Sequence, residues 1–310
     1  MPYDLEKRLV IGLASSALFN LEESDEVFRT KGEEAYRKYQ RENQNVPLPH
    51  GVAFSFIRRL LSLNQLNPSD PPVEVILLSR NDPDTGLRVM KSIQHNSLPM
   101  TRAVFLQGRS PQAYIPALKI SLFLSANELD VRQAMLAGYP AGQVLKTSAY
   151  DDPLDSELRI AFDFDGVLAD DEAEAIYQET RNLTDFHEHE INLVDTPHNP
   201  GPLAEFLKKI SKIQKLEQDK KNSESSYQPI LNISIVTARN APSHERVINT
   251  MRNWDITVNE AFFLGGVEKK SVLEVLNPHI FFDDQRLHLD PAASTLPSVH
   301  IPFGVTNLRQ

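Results

Sequence analysis

Short apolar runs recur in this chain at an almost constant offset, and that repetition constrains its fold more than any single motif. Ile11-Gly12-Leu13-Ala14-Ser15-Ser16 lies over Ile160-Ala161-Phe162-Asp163-Phe164-Asp165, and Phe56-Ile57-Arg58-Arg59-Leu60 lies over Phe206-Leu207-Lys208-Lys209-Ile210. Farther on, Leu77-Leu78-Ser79-Arg80-Asn81 lies over Ile235-Val236-Thr237-Ala238-Arg239. Leu122-Phe123-Leu124-Ser125-Ala126 lies over Ile280-Phe281-Phe282-Asp283-Asp284. The offset is 149 or 150 residues early and 158 late, and the jump falls at the polar run Gln218 to Ser226, which reads as a loop insertion. Apolar runs that end in a polar residue are what buried parallel strands look like when each delivers a side chain to its carboxyl end. The expectation is an α/β protein of two tandem halves, residues 1–150 and 151–310, joined through the polar stretch Lys146 to Pro153.

The halves differ where chemistry would lie. The second presents Asp163 and Asp165, then Thr237, Lys269 and the pair Asp283-Asp284; the first has Ala14, Ser16, Ser79 and Ser125-Ala126 at the matching places. Ligands of open α/β sheets bind at the carboxyl ends of the strands, so these side chains should converge on one crevice. Their chemistry suits phosphoryl transfer. A carboxylate such as Asp163 can attack phosphorus and carry the group as an aspartyl phosphate. A second carboxylate two residues on, Asp165, can protonate the leaving oxygen and then activate water. Neighbouring carboxylates repel unless a cation lies between them, and Mg²⁺ suits hard oxygen ligands plus phosphate oxygens. Thr237 and Lys269 can hold the charge that spreads over the phosphoryl oxygens. Taken singly, Asp-x-Asp-Gly is turn chemistry, Thr237 a helix N-cap, Lys269-Lys270 an exposed helix face and Asp283-Asp284 a turn. The ordered set, three of its members on strand ends, favours catalysis. The first half, without those carboxylates, reads as a catalytically degenerate partner domain.

The set Asp163-Phe164-Asp165-Gly166-Val167, Thr237, Lys269 and Asp283-Asp284 resembles the four motifs of the haloacid dehalogenase-like (HAD) phosphohydrolases. Further stretches make the chain similar to the cytosolic 5′-nucleotidase I family along nearly its whole length: Ala17 to Ser24, Gly32 to Tyr36, Gly51 to Phe54, Gly86 to Val89, Val236 to Arg239 and Pro278 to Gln285. The first motif departs from the Asp-Gly-Asp-Ala-Val of animal members, a difference that bears on substrate preference and leaves the chemistry intact. The resemblance implies two HAD-like halves, each a Rossmann-like parallel sheet, with a short helical cap at about residues 171–230 of the second. It implies Mg²⁺-dependent hydrolysis of nucleoside 5′-monophosphates, with Asp163 as nucleophile and Asp165 as acid, then base. The metal would be held by Asp163, the Asp165 carbonyl, and Asp283 or Asp284. Thr237, Ala238, Arg239 and Lys269 would surround the phosphate. In the first half the polar tips Asn20, Arg80, Asn81 and Arg88 are candidates for nucleotide recognition or a subunit interface. Two other readings stay open: a phosphatase of another small phosphomonoester, such as a sugar phosphate, and a nucleotide-binding regulatory protein with little turnover.

Composition narrows the partners. A formal net charge of −10 disfavours nucleic-acid polymers and anionic membranes. The absence of cysteine fits the cytoplasm, and no run approaches the length of a membrane span. Lys7-Arg8 followed by Leu9 to Ala17 has some look of a leader, but Asp4 and Glu6 interrupt the basic region and the repeat makes the segment a first strand. The short cap leaves room for the other half, or a second subunit of a homo-oligomer, to complete the cover. His187-Glu188-His189-Glu190 reads as a solvated cap loop and not a zinc site, because i, i+2 spacing puts the imidazoles on different helix faces. Trp254, the single tryptophan, reads as core or helix-end packing.

Overall fold

The computed structural model describes residues 3–149 and 151–307. The chain divides into two compact units, Met1–Val144 and Leu145–Gln310. In the first, β1 (Leu9–Leu13), β2 (Val73–Ser79), β3 (Arg102–Phe105), β4 (Leu122–Ser125) and β5 (Ala141–Val144) run parallel in the order β3-β2-β1-β4-β5. In the second, β6 (Leu158–Phe162), β7 (Leu231–Thr237), β8 (Glu260–Phe263), β9 (Ile280–Asp283) and β10 (Ser298–His300) run parallel in the order β8-β7-β6-β9-β10. Parallel neighbours need crossover connections, which helices supply here.

Every residue of β1, β2 and β4 is buried, as is every residue of β9. A strand covered on both faces is apolar along most of its length, which is why these segments read as runs instead of alternation; Glu74 on β2 is the exception, and Arg102 pairs with it (2.9 Å). In the first unit Val10, Ile76 and Phe123 pack against Val131 and Ala134. In the second Ala161, Val236 and Phe281 pack against Leu273, Leu289 and Ala292. Phe162, Phe206 and Phe282 form a fully buried aromatic group, with Phe162 and Phe282 stacked at 5.2 Å.

The stretches between the first two strands of each unit are helical. In the second unit they are Glu172–Thr180, Leu183–Asn192 and Ala204–Ser223; in the first, Glu22–Glu42, broken at Gly32 (φ +80°), and Phe54–Ser62. The polar run expected as a loop from Gln218 is helical as far as Ser223. The later offset grows because this helix is 20 residues long, where the first unit has a helix of 9 followed by a 3₁₀ turn of 4 at Leu63–Leu66. Glu217, buried on it, explains the extension. Its carboxylate accepts the backbone N–H groups of Ile230 (2.9 Å) and Leu231 (3.1 Å) and the Tyr227 hydroxyl (2.6 Å), tying the helix to the start of β7.

Two glycines hold the segments that lead into the Phe54–Ser62 and Ala204–Ser223 helices. Gly51 N donates to Leu18 O (2.8 Å) and Gly201 N to Leu168 O (2.7 Å). A Cβ on Gly51 would lie 2.7 Å from Ala17 O, and one on Gly201 would lie 2.2 Å from Ala169 O, so only glycine fits. Among the described residues, no helix is long and apolar enough to cross a membrane.

Candidate active site

Asp163 is the residue after β6. Its N–H donates to Phe282 O on β9 (2.8 Å), which carries the strand direction one residue further and leaves its side chain at the sheet's carboxyl edge. Oδ1 accepts from Phe164 N (2.7 Å), and Oδ2 lies 2.8 Å from Lys269 Nζ. Lys269 opens the Lys269–Leu276 helix, and the same ammonium lies 2.7 Å from Asp283 Oδ2 at the end of β9. Asp283 is further engaged by Gln285 N on Oδ1 (2.8 Å) and His288 Nδ1 near Oδ2 (3.2 Å). All three charged groups are buried. Burial pushes Asp163 up to about 6, with Lys269 opposing that rise and Asp283 adding to it. Burial would lower Lys269, but Asp163 and Asp283 outweigh it and hold the ammonium well above its ordinary range. Asp283 goes the other way: burial would raise it, and Lys269 and His288 keep it below the usual carboxylate range.

Asp284 is the anomaly. Oδ2 accepts from Thr306 Oγ1 (2.8 Å), but Oδ1 is buried with no hydrogen-bond partner among the described residues. Burial first, then Asp283 and Asp163, drive this carboxyl well above its ordinary value. Its side chain lies against Gly166, where φ is +70° and a Cβ would sit 2.8 Å from Asp284 Cγ. The glycine of Asp-Phe-Asp-Gly is therefore required both by the turn and by this approach. Three buried carboxylates face one ammonium, and a buried acceptor oxygen without a donor is the place a hard cation satisfies. Asp163, Asp283 and His288 also present ligand atoms within 4.8 Å of one another, but Lys269 already bridges those two carboxylates. The residues fit a divalent cation on the Asp163–Asp284 side.

The remaining sequence candidates separate. Thr237, at the end of β7, is buried and accepts Arg239 N on Oγ1 (3.3 Å). Ala238 is exposed between them. Arg239 does not face open solvent: it forks onto Asp165 through Nε (2.7 Å to Oδ2) and Nη2 (2.6 Å to Oδ1). Its Nη1 reaches Glu190, and Nη2 lies 3.0 Å from His198 Nε2. Glu190 was expected in a solvated loop. It lies instead in the Leu183–Asn192 helix, with its side chain fully buried between Arg239 and Arg246. Glu190, His198, Arg246 and His288 were not legible as site residues, since buried charge carries no sequence signature of its own. Trp254 caps the His244–Asn253 helix.

In the first unit Arg80 pairs with Asp130 through Nε (2.9 Å) and donates Nη1 to Gly108 O (3.0 Å). Asn81 Oδ1 accepts from Tyr36 OH (3.1 Å). Arg88 is buried and donates to Val46 O (3.0 Å) and Gln40 Oε1 (3.3 Å).

A sequence model described as 5′-nucleotidase matches residues 1–308. The chain belongs to the 5′-nucleotidase family. It is 33% identical over 293 residues to human "Cytosolic 5′-nucleotidase 1B", an alignment covering 92% of this chain and 47% of that protein. The chain thus spans about half the length of this curated relative. Among solved structures, histidinol dehydrogenase from Elizabethkingia anophelis aligns over 94% of this chain and 52% of its own at 7% identity, with a TM-score of 0.22, too low to bear on the fold.

Proposed function

We propose that this family member is a Mg²⁺-dependent phosphoric monoester hydrolase that converts nucleoside 5′-monophosphates to nucleoside and phosphate through an aspartyl phosphate on its second unit. One observation supports this reading above others: Asp163 is buried at a strand end, 2.8 Å from the Lys269 ammonium, in a cluster where Asp284 Oδ1 has no hydrogen-bond partner among the described residues. An Asp163 oxygen attacks phosphorus, and the bond from phosphorus to the ribose 5′ oxygen breaks. Asp165 gives its proton to the departing oxygen. As a carboxylate, Asp165 then takes a proton from water, whose oxygen attacks phosphorus and returns Asp163 and free phosphate. Lys269 and Thr237 balance the charge on the phosphoryl oxygens. Asp163, Asp284 and the Asp165 carbonyl would hold Mg²⁺, which offsets carboxylate and phosphate charge when bound. Asp283 acts from behind, fixing Lys269.

The first unit is read as a degenerate copy. In support, its strand order matches that of the second unit, and Gly51 and Gly201 meet the same restriction. At its strand ends Ala14 follows β1 and Ser125 closes β4 where the second unit has Asp163 and Asp283. The commitments of Arg80 and Arg88 to neighbouring groups favour a scaffold role for both.

Phosphate release across nucleoside monophosphates and sugar phosphates, with Mg²⁺ or excess chelator, tests the reading. Nucleotide turnover should need Mg²⁺ and fall by orders of magnitude in Asp163→Asn, whose amide is isosteric but not nucleophilic. Wild-type rates in that variant, or full activity in chelator, would overturn it.

A further inference from the structure

The same buried arginine clasp occurs in both units. In the second, Arg246 of the His244–Asn253 helix donates Nε to Thr196 O (3.0 Å) and Nη1 to Glu190 Oε1 (2.8 Å). In the first, Arg88 of the Leu87–His95 helix donates Nε to Val46 O (3.0 Å) and Nη1 to Gln40 Oε1 (3.3 Å). The hydrogen bond from His198 N to Thr250 Oγ1 (3.1 Å) is matched by Leu48 N to Ser92 Oγ (3.0 Å). A clasp that persists beside Ala14 and Ser16, where no catalytic carboxylate exists, serves the fold.

The second unit adds charge to this frame. Glu190 stands where the first has Gln40, Arg239 where it has Asn81, and His198 where it has Leu48. These three accompany Asp165, whose counterpart is Ser16. They also touch one another. Arg239 engages both Asp165 oxygens, while Glu190 and His198 hold it from behind. Phe164 and Phe186 flank the guanidinium at 5.4 and 5.3 Å. The arginine is 4% exposed, so its fork has one orientation.

We infer that Arg239 is a positioning residue that sets the plane of the Asp165 carboxylate, and that Glu190 and His198 set Arg239. The inference rests on the proposed role of Asp165 as general acid and base. Because the fork takes both carboxylate oxygens, the plane in which Asp165 meets the departing ribose oxygen follows the guanidinium. Asp163 has its own anchor in Lys269 and does not depend on this network.

The test is leaving-group dependence. A ribose alkoxide needs a proton to depart and nitrophenolate does not, so a misplaced acid penalises a nucleoside monophosphate more than p-nitrophenyl phosphate. The comparison uses kcat/KM for both substrates on one preparation, where the fraction of folded enzyme cancels from the ratio. Asp165→Asn sets the reference. Glu190→Gln, which copies the first unit, and Arg239→Lys, which keeps the charge but loses the fork, should each lower nucleotide turnover at least about tenfold more than aryl phosphate turnover. Equal losses on the two substrates in both variants would overturn the inference and leave the cluster a structural one, even with Tm lowered. Equal losses in Asp165→Asn would instead remove the acid assignment, and this inference with it. A failed nucleotidase reading shows differently, as absence of wild-type nucleotide turnover.

Discussion

Acidification should unlock the second unit through Glu190. Burial alone would raise this carboxyl; the hydrogen bond from His198 and the charge of Arg239 outweigh it and bring the group from its ordinary 4.5 to about 2. A folded value below the unfolded one stabilises above pH 4.5, and the stabilisation drains as pH falls toward 2. A depression of this size corresponds to on the order of 3 kcal/mol, and about 2 kcal/mol of it should be lost between pH 5.5 and 3. Many other carboxylates titrate in that window, so the informative quantity is the difference between the wild type and Glu190→Gln, which share all the rest. Trp254, the only tryptophan, caps the helix that carries Arg246 and reports on this unit alone. Urea unfolding followed by its fluorescence should show the stability gap between the two proteins narrowing by about 2 kcal/mol from pH 5.5 to 3. At neutral pH the variant should be the weaker by several kcal/mol, because it leaves two buried arginines short of their counter-charge. Parallel curves across that range would refute the assignment of Glu190 as a charged buried anchor.

Mg²⁺ added to chelated protein should raise the Tm seen by Trp254, by the equivalent of about 2.7 kcal/mol at a hundred times Kd, and Asp284→Asn should remove that shift; an undiminished shift in the variant would place the ion elsewhere. Gly166→Ala should cost roughly 1–3 kcal/mol and raise the Mg²⁺ concentration needed for half-maximal activity, because its Cβ would meet Asp284 Cγ at 2.8 Å with φ at +70°; an unchanged Mg²⁺ titration would contradict this. Arg88→Ala should lower the melting temperature by several degrees without changing KM for nucleotide, as its bonds go to Gln40 and Val46 O; a raised KM at constant Tm would favour recognition instead.

The strands were legible because a doubly covered strand has no freedom to be polar. Leu9–Leu13, Val75–Leu78, Ile235–Val236 and Ile280–Phe282 are apolar without a break for that reason, and the residues that follow them are where polar side chains reach the sheet's carboxyl edge. Asp163, Thr237 and Asp283-Asp284 could therefore be placed at one edge without coordinates, whereas Lys269, which opens a helix, was placed by its order in the set. The Ala204–Ser223 helix was legible only in part. Its surface residues Gln218 to Ser223 look like a loop by composition, and the residue that keeps them helical, Glu217, looks like any solvated glutamate until it is seen capping Ile230 and Leu231. His187 to Glu190 misled for the same reason. Helix geometry sends Glu190 inward while Ile191 stays 51% exposed, an inversion that no hydropathy pattern announces.

One signal in the sequence could have found the hidden network, which is the repeat itself. Arg88 and Arg246 stand 158 residues apart, the same offset that aligns the later strands, so an arginine was kept on the helix after β2 and on the helix after β7. A residue shared by the unit that carries Asp163 and Asp165 and the unit that lacks them serves what they have in common, the join between helix and helix. A residue found only beside the carboxylates serves the difference. By that rule Arg246 separates from Arg239 although both bind Glu190 and both are almost wholly buried. Physical contact alone would have grouped them, since they share one anion. Comparison with the first unit distinguishes them: Gln40 Oε1 accepts from Arg88 without a charge, whereas Asn81, opposite Arg239, accepts the Tyr36 hydroxyl and meets no carboxylate among the described residues.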